Sequence, residues 1–216
     1  MSLFLLAVVA GAAFADPPDN ALLIPPRQVR ALVETYADCV VKNEEPHASD
    51  AILRDLSDGD FQRGHPELIQ ENCIPMALGN YIQMDFTPSE LREVVAEALV
   101  RREFANTPAP ALDDVPGLSH RPASGSPQSA ADAYLARYGE CVVRVDPSRA
   151  KALLFTEPLT DGEAAAINAL GTALGTCLAP GKTLNFSKAA LRGSIAINYY
   201  RLAVAARSAP AAGVPR

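Results

Sequence analysis

The sequence predicts an all-α protein of two homologous four-helix units, a tandem internal duplication with each unit stapled by one disulfide. Three observations carry that expectation. First, Tyr36-Ala-Asp-Cys39-Val-Val-Lys42 returns roughly 100 residues later as Tyr138-Gly-Glu-Cys141-Val-Val-Arg144. The echo continues in order: Pro46 with Ala51-Ile52-Leu53 matches Pro147 with Ala152-Leu153-Leu154, and Leu56-Ser-Asp-Gly-Asp60 matches Leu159-Thr-Asp-Gly-Glu163. Cys73 then matches Cys177, and Phe86 with Leu91-Arg92 matches Phe186 with Leu191-Arg192. Second, apolar residues recur at the 3.6-residue period of a helix. Third, no run sustains the period-two alternation of a half-buried strand.

Met1 to Ala15 is apolar or small, carries no charged side chain and ends in Ala13-Phe14-Ala15, a small-x-small pattern. It reads as a secretory signal peptide cleaved after Ala15, too short for a membrane span. Residues 16–26 form an N-terminal segment, and the first helical unit covers residues 27–105. Its opening helix, Arg27–Asn43, places Leu32, Tyr36, Cys39 and Val40 on one face. A short second helix follows Pro46, because proline suits a first-turn position. The third begins at Ser57-Asp-Gly-Asp60, is interrupted at Gly64-His65-Pro66, and is expected to restart at Pro66 and run past Cys73. The fourth opens with the capping box Thr87-Pro88-Ser89-Glu90 and buries Leu91, Val94, Val95, Ala98 and Leu99.

Residues 106–128, rich in Pro, Ser and Gly, read as an extended linker contributing no core. The second unit, residues 129–207, repeats the plan. Tyr134, Tyr138, Cys141, Val142 and Val145 line its first helix, and Pro147 opens its second. Thr160-Asp-Gly-Glu163 caps a third helix expected to run through Ala164–Leu178, and Leu191, Ile195, Tyr199 and Leu202 form the inner face of the fourth. Residues 208–216 are an Ala/Pro-rich flexible tail.

Four cysteines permit three connectivities. A unit that existed alone before copying would have bridged its own pair, which favours Cys39–Cys73 and Cys141–Cys177. In the chain-entropy model a loop of about 35 residues closed this way contributes ~4 kcal/mol, within a range of ~0–5.

The chain carries 25 acidic and 19 basic residues, a net charge of −6, and no Trp. That balance argues against nucleic acid and against anionic lipid, both of which call for a basic face. No CxxC pair or Cys/His cluster marks a metal site, and no serine elbow, P-loop or dinucleotide fingerprint is present. No catalytic, cofactor-binding or metal-binding residue is therefore assigned. His47 and His65 lie in the first unit and His120 in the linker; all three read as loop or surface histidines. The retained charges are Arg92 with Arg192 and Arg101 with Arg201, which are structural or anion-binding candidates because a guanidinium suits carboxylate and phosphate. The expected structural pairings are Arg92 with Asp38 and Arg192 with Glu140.

The functional expectation is an exported, periplasmic or secreted, noncatalytic helical protein that binds a protein or small molecule in the cell envelope. It makes no stable membrane insertion once the signal is cleaved. Two alternatives stand beside it: a hydrolase-type enzyme with its site in the first unit, using His47, His65 and Glu67, and a periplasmic metal-binding or stress protein using His47, Asp50 and His65.

Overall fold

Among the described residues, the regular structure of the computed structural model comprises eight α-helices, two 3₁₀ turns and one minimal hairpin. The model describes residues 25–54, 56, 58–77, 80–81, 86–120, 127–181, 183 and 185–208. The expected signal peptide, the flexible tail from residue 209 onward and the cap residue Ser57 lie outside the described residues. In order, the elements are α1 (Pro26–Leu53), α2 (Asp58–Gly64), two 3₁₀ turns (Pro66–Leu68 and Glu71–Cys73), β1 (Met76–Ala77), β2 (Asn80–Tyr81) and α3 (Pro88–Phe104). There follow α4 (Pro127–Val145), α5 (Pro147–Leu154), α6 (Asp161–Ala169), α7 (Gly171–Cys177) and α8 (Lys188–Ser208). β1 and β2 pair antiparallel, Met76 opposite Tyr81 and Ala77 opposite Asn80.

Local chemistry explains most of the boundaries. Pro46 cannot donate to the carbonyl four residues back, and α1 leaves helical geometry at Glu44 (φ −128°, ψ 36°). This produces the two helices expected around Asn43 and Pro46. α3 begins with a complete capping box: Glu90 N–H donates to Thr87 Oγ1 at 3.2 Å, and Thr87 N–H donates to Glu90 Oε2 at 2.9 Å. The third segments depart from expectation in both halves. In the first, α2 ends at Gly64, and the chain beyond Pro66 forms only the two 3₁₀ turns. In the second, the helix expected through Ala164–Leu178 divides at Leu170, whose N–H is shared between the carbonyls of Ala166 and Ile167. Such bifurcated bonds tighten a last turn and end the α-helix there.

Two disulfides join Cys39 to Cys73 and Cys141 to Cys177. Each ties a long first helix to the segment that follows it, and aromatic packing beside each bridge is alike. Tyr36 packs tilted against Phe86 (ring centroids 5.3 Å apart) and Tyr138 tilted against Phe186 (5.7 Å). Tyr36 Oη donates to Leu68 O, and Tyr138 Oη donates to Leu174 O.

The core is continuous through both halves. α1 packs on α3, α4 packs on α8, and α3 and α8 pack on each other, with α5 against α8. Packed between these neighbours, α3 is buried on every side from Val94 to Val100 and α8 from Leu191 to Ala196. Val145, expected to face inward, is instead 46% exposed at the end of α4. Close approach at two glycines makes the packing possible. A Cβ on Gly193 would lie 2.3 Å from Glu93 Cγ, and one on Gly139 would lie 2.2 Å from Ser194 Oγ. Beyond the glycines, Phe104 closes the α3/α8 contact edge-on to both Tyr199 and Tyr200.

The segment between the halves is a further departure. Residues 106–120 were expected to contribute no core, yet Leu112 and Val115 are buried in it and Leu118 packs against it. The Pro-rich composition keeps this strap out of a helix without keeping it off the protein. Its backbone is held by α4 and α8, as described below.

The glycine contacts give a direct test. Gly193→Ala is expected to lower stability by about 1–3 kcal/mol through overpacking. Gly171→Ala, where a new Cβ would meet nothing within 4 Å, is expected to leave stability unchanged or slightly higher. Urea unfolding midpoints of the two variants make the comparison.

Candidate functional site

A buried cluster of ionisable side chains lies where α3 and α8 meet. Arg192 of α8 is 1% exposed, and its guanidinium is fully engaged. Nε donates to Glu97 Oε2 at 2.8 Å. Nη1 donates to Leu153 O (2.8 Å), Thr156 Oγ1 (3.0 Å) and Glu163 Oε1 (3.4 Å), and Nη2 to Leu154 O (3.1 Å) and Thr156 O (2.9 Å). Glu97, also 1% exposed, receives Arg30 Nη2 of α1 at 2.8 Å on its other oxygen, and Arg101 Nη1 approaches it at 3.6 Å. Glu34 faces Arg30 and Arg101 at 3.7 and 4.0 Å, and burial raises its pKa above the ordinary carboxylate range against the pull of both arginines.

These contacts replace both expected arginine pairings. Asp38 is bound by Arg101 (2.7 Å) rather than Arg92, whose Nη1 donates to Leu56 O while its guanidinium lies over the Phe61 ring. Glu140 is bound by Leu118 N–H, His120 and Arg144 rather than Arg192. Periodicity and the internal echo mark only partners within one unit. Arg192 finds its partner Glu97 in the other half because α3 and α8 are in contact. With its donors occupied and its surface buried, Arg192 is a structural arginine and not an anion site. Arg201 donates to Ser119 O.

Sequence reasoning missed Arg30, Glu34, Glu93 and Glu97. The available signal was Glu97 itself, a carboxylate set inside the run Val94–Val100 of a helix with buried residues on every side. Glu93, one turn earlier and packed on Gly193, has a pKa raised to about 8 by burial and by the neighbouring charges of Glu97 and Glu90.

The histidines are dispersed among separate partners. His47 Nδ1 meets Glu44 Oε2 at 2.9 Å, a hydrogen bond that raises its pKa. His65 is buried, with Nδ1 at 3.2 Å from Glu67 Oε1 and Nε2 at 4.0 Å from Asp50 Oδ2. His65 thus lies beside two of its expected companions, but it lines neither of the two surface depressions described next. His120, expected at the surface, has a side chain only 8% exposed against Glu140. Among the described residues no group of three or more His, Cys, Asp or Glu side chains is placed to hold a metal ion.

Two open depressions stand out among the described residues. One, about 420 Å³, lies beside the second disulfide and is lined by Tyr138, Leu174, Gly175, Leu178, Thr183, Phe186 and Leu191. The other, about 410 Å³, lies where α1, α3 and α8 meet and is lined by Glu45, Ser49, Glu103, Tyr200, Val204 and Arg207, with Pro46. There Tyr200 Oη reaches Ser49 Oγ at 2.8 Å and Glu103 Oε1 at 2.5 Å, and Arg207 pairs with Glu103. Burial lifts the Tyr200 phenol well above its ordinary pKa, so it stays protonated and is a poor base. Searches against protein-family models, curated proteins and solved structures find no match for this chain.

Glu93 makes the stability of the fold depend on pH. Its folded pKa, about 8, lies above the unfolded value of about 4.3. Below the unfolded value both states bind the proton; above it the unfolded chain ionises first, so stability falls as pH rises toward 8 and then levels. Glu93→Gln is expected to remove a decline of a few kcal/mol, raising stability over the native chain at pH 9 and not at pH 4. Urea unfolding at the two pH values reads the difference.

Proposed function

We propose that this protein is an exported, noncatalytic binding module built from two copies of one disulfide-stapled helical unit, and that it takes an apolar ligand or side chain in the depression beside Cys141–Cys177. The observation that carries this reading is the lining. Tyr138, Leu174, Leu178, Phe186 and Leu191 offer aromatic and aliphatic surface, with Thr183 supplying a hydroxyl and no carboxylate, imidazole, amine or thiol among them. The Tyr138 phenol, its pKa raised by burial, keeps its proton and donates a hydrogen bond to Leu174 O. Concave apolar sites with few polar groups are the usual form of small-ligand pockets. A reaction would need a positioned acid, base or nucleophile at the same place. The buried charges are elsewhere, and they are spent on one another.

Support for the two-copy reading comes from the matched sequence segments together with matched contacts. Each half has a Tyr–Phe pair beside a bridge, and in each the Tyr hydroxyl bonds a carbonyl of the third segment. Export is supported by the two disulfides, which persist in oxidising compartments. No helix among the described residues is long and apolar enough to cross a membrane.

An anilinonaphthalene-sulfonate dye is the probe for the site. Saturable binding of one dye per chain is expected, weakened at least about tenfold by Leu174→Glu and unaffected by Val204→Glu in the other depression. Fluorescence titration gives the affinities. Absence of saturable binding, or equal loss in the two variants, would reject the site.

A further inference from the structure

The two halves treat one acid–arginine pair differently. In the N-terminal half Asp38, beside the first cysteine, is bound directly by Arg101 of α3. Their counterparts by sequence are Glu140 and Arg201, and between these two residues 118–120 of the strap form a bridge. Leu118 N–H donates to Glu140 Oε1 at 2.9 Å, His120 Nε2 lies 2.5 Å from Glu140 Oε2, and Arg201 Nη2 donates to Ser119 O at 2.9 Å. Arg144, one turn beyond Glu140 and paired with it at 2.8 Å, extends the contact. Its Nη1 donates to Leu112 O (3.4 Å) and Val115 O (2.9 Å), and its Nη2 to Pro116 O (2.6 Å).

We propose that Glu140, Arg144 and Arg201 form a peptide-docking groove, filled in the resting chain by its own residues 112–120. The groove accepts an extended segment with apolar side chains at the spacing of Leu112, Val115 and Leu118. Every polar contact to the strap except that of His120 is to backbone: one amide and four carbonyls. Recognition of this kind reads the path of a chain and leaves most side chains unspecified, which is how peptide grooves combine affinity with tolerance. Leu112 and Val115 are buried, Leu118 is half-buried, and the intervening Asp113, Asp114, Pro116 and Gly117 are exposed. The seat is also imperfect. Among the described residues His120 Nδ1 is buried without a hydrogen-bond partner, a desolvation cost that favours release. When the strap leaves, Glu140 and Arg201 can close on each other as Asp38 and Arg101 do. The comparison of the two pairs rests on the two-copy reading, but the groove lies apart from the apolar depression, with no lining residue in common.

The probe is a synthetic peptide of residues 110–120, titrated into the full chain. A chain with its own strap displaced, Leu112→Asp/Val115→Asp, is expected to bind this peptide at least about tenfold more tightly than the native chain, whose groove is already occupied. Adding Glu140→Gln to the displaced chain is expected to weaken that binding by at least about tenfold. In the native chain the Leu118 amide is expected to exchange hydrogen faster than the amides at the centre of α8, reporting local opening. The proposal is overturned if the displaced chain stays folded without binding the peptide, or if binding ignores Glu140→Gln. It is equally overturned if the displaced chain loses its helical circular dichroism, or if Leu118 exchanges only with global unfolding, since the strap would then be fixed core. Dye binding tests the depression and peptide binding tests this face, so neither result decides the other.

Discussion

The guanidinium of Arg192 is the constraint on which the rest of the arrangement depends. A buried arginine is tolerated only when its charge and its donors are met, and here six acceptor groups on five residues, from α3, α5, α6 and the turn after α5, meet them. Each contact fixes an element. Glu97 ties α8 to the N-terminal half, Glu163 orients α6, and the carbonyls of Leu153, Leu154 and Thr156 would be left without these donors at the end of α5. Glu97 passes the constraint on to Arg30 and Arg101, so α1 is registered against the same centre. A hydrophobic interface between α3 and α8 could slide by a turn; this one cannot without stranding a charge.

The backbone plan was legible because it rests on short-range chemistry. The proline at position 46, the box at Thr87–Glu90 and the spacing of Leu91, Val94, Val95, Ala98 and Leu99 each act within a few residues, and each leaves a local mark. The cysteine pairs were legible through the internal echo. The central cluster was not, because the partner of Arg192 is 95 positions away in sequence and belongs to the other half. Nothing in either unit alone distinguishes an arginine aimed at solvent from one aimed at a neighbouring unit. The strap was hidden for a related reason: Pro and Gly exclude helix, but exclusion from a helix is not exclusion from the core. Leu112 and Val115, two isolated apolar residues among exposed ones, were the visible sign of the contrary.

On the two-copy reading proposed above, the halves have diverged. The N-terminal half keeps a direct Asp38–Arg101 pair and a buried His65 between carboxylates. The C-terminal half opens the matching pair around a strap and presents the apolar depression beside its disulfide. On the binding reading proposed above, the N-terminal half serves mainly as support, and the proposed recognition surfaces lie on α4, α7 and α8. Rigid mounting of this kind suits binding, because a site carried on fixed helices loses little freedom when it is filled.

The central claim is that the two halves form one cooperative body pinned by Arg192. Equilibrium urea unfolding of the native chain and of Arg192→Met, followed by helical circular dichroism and tyrosine fluorescence, tests it most directly. The native chain should unfold in a single transition at the same midpoint by both signals, and the variant should lose on the order of 3–5 kcal/mol because Glu97 is left buried among fewer cations. Two separate transitions in the native chain, or a variant within about 0.5 kcal/mol of it, would contradict the claim.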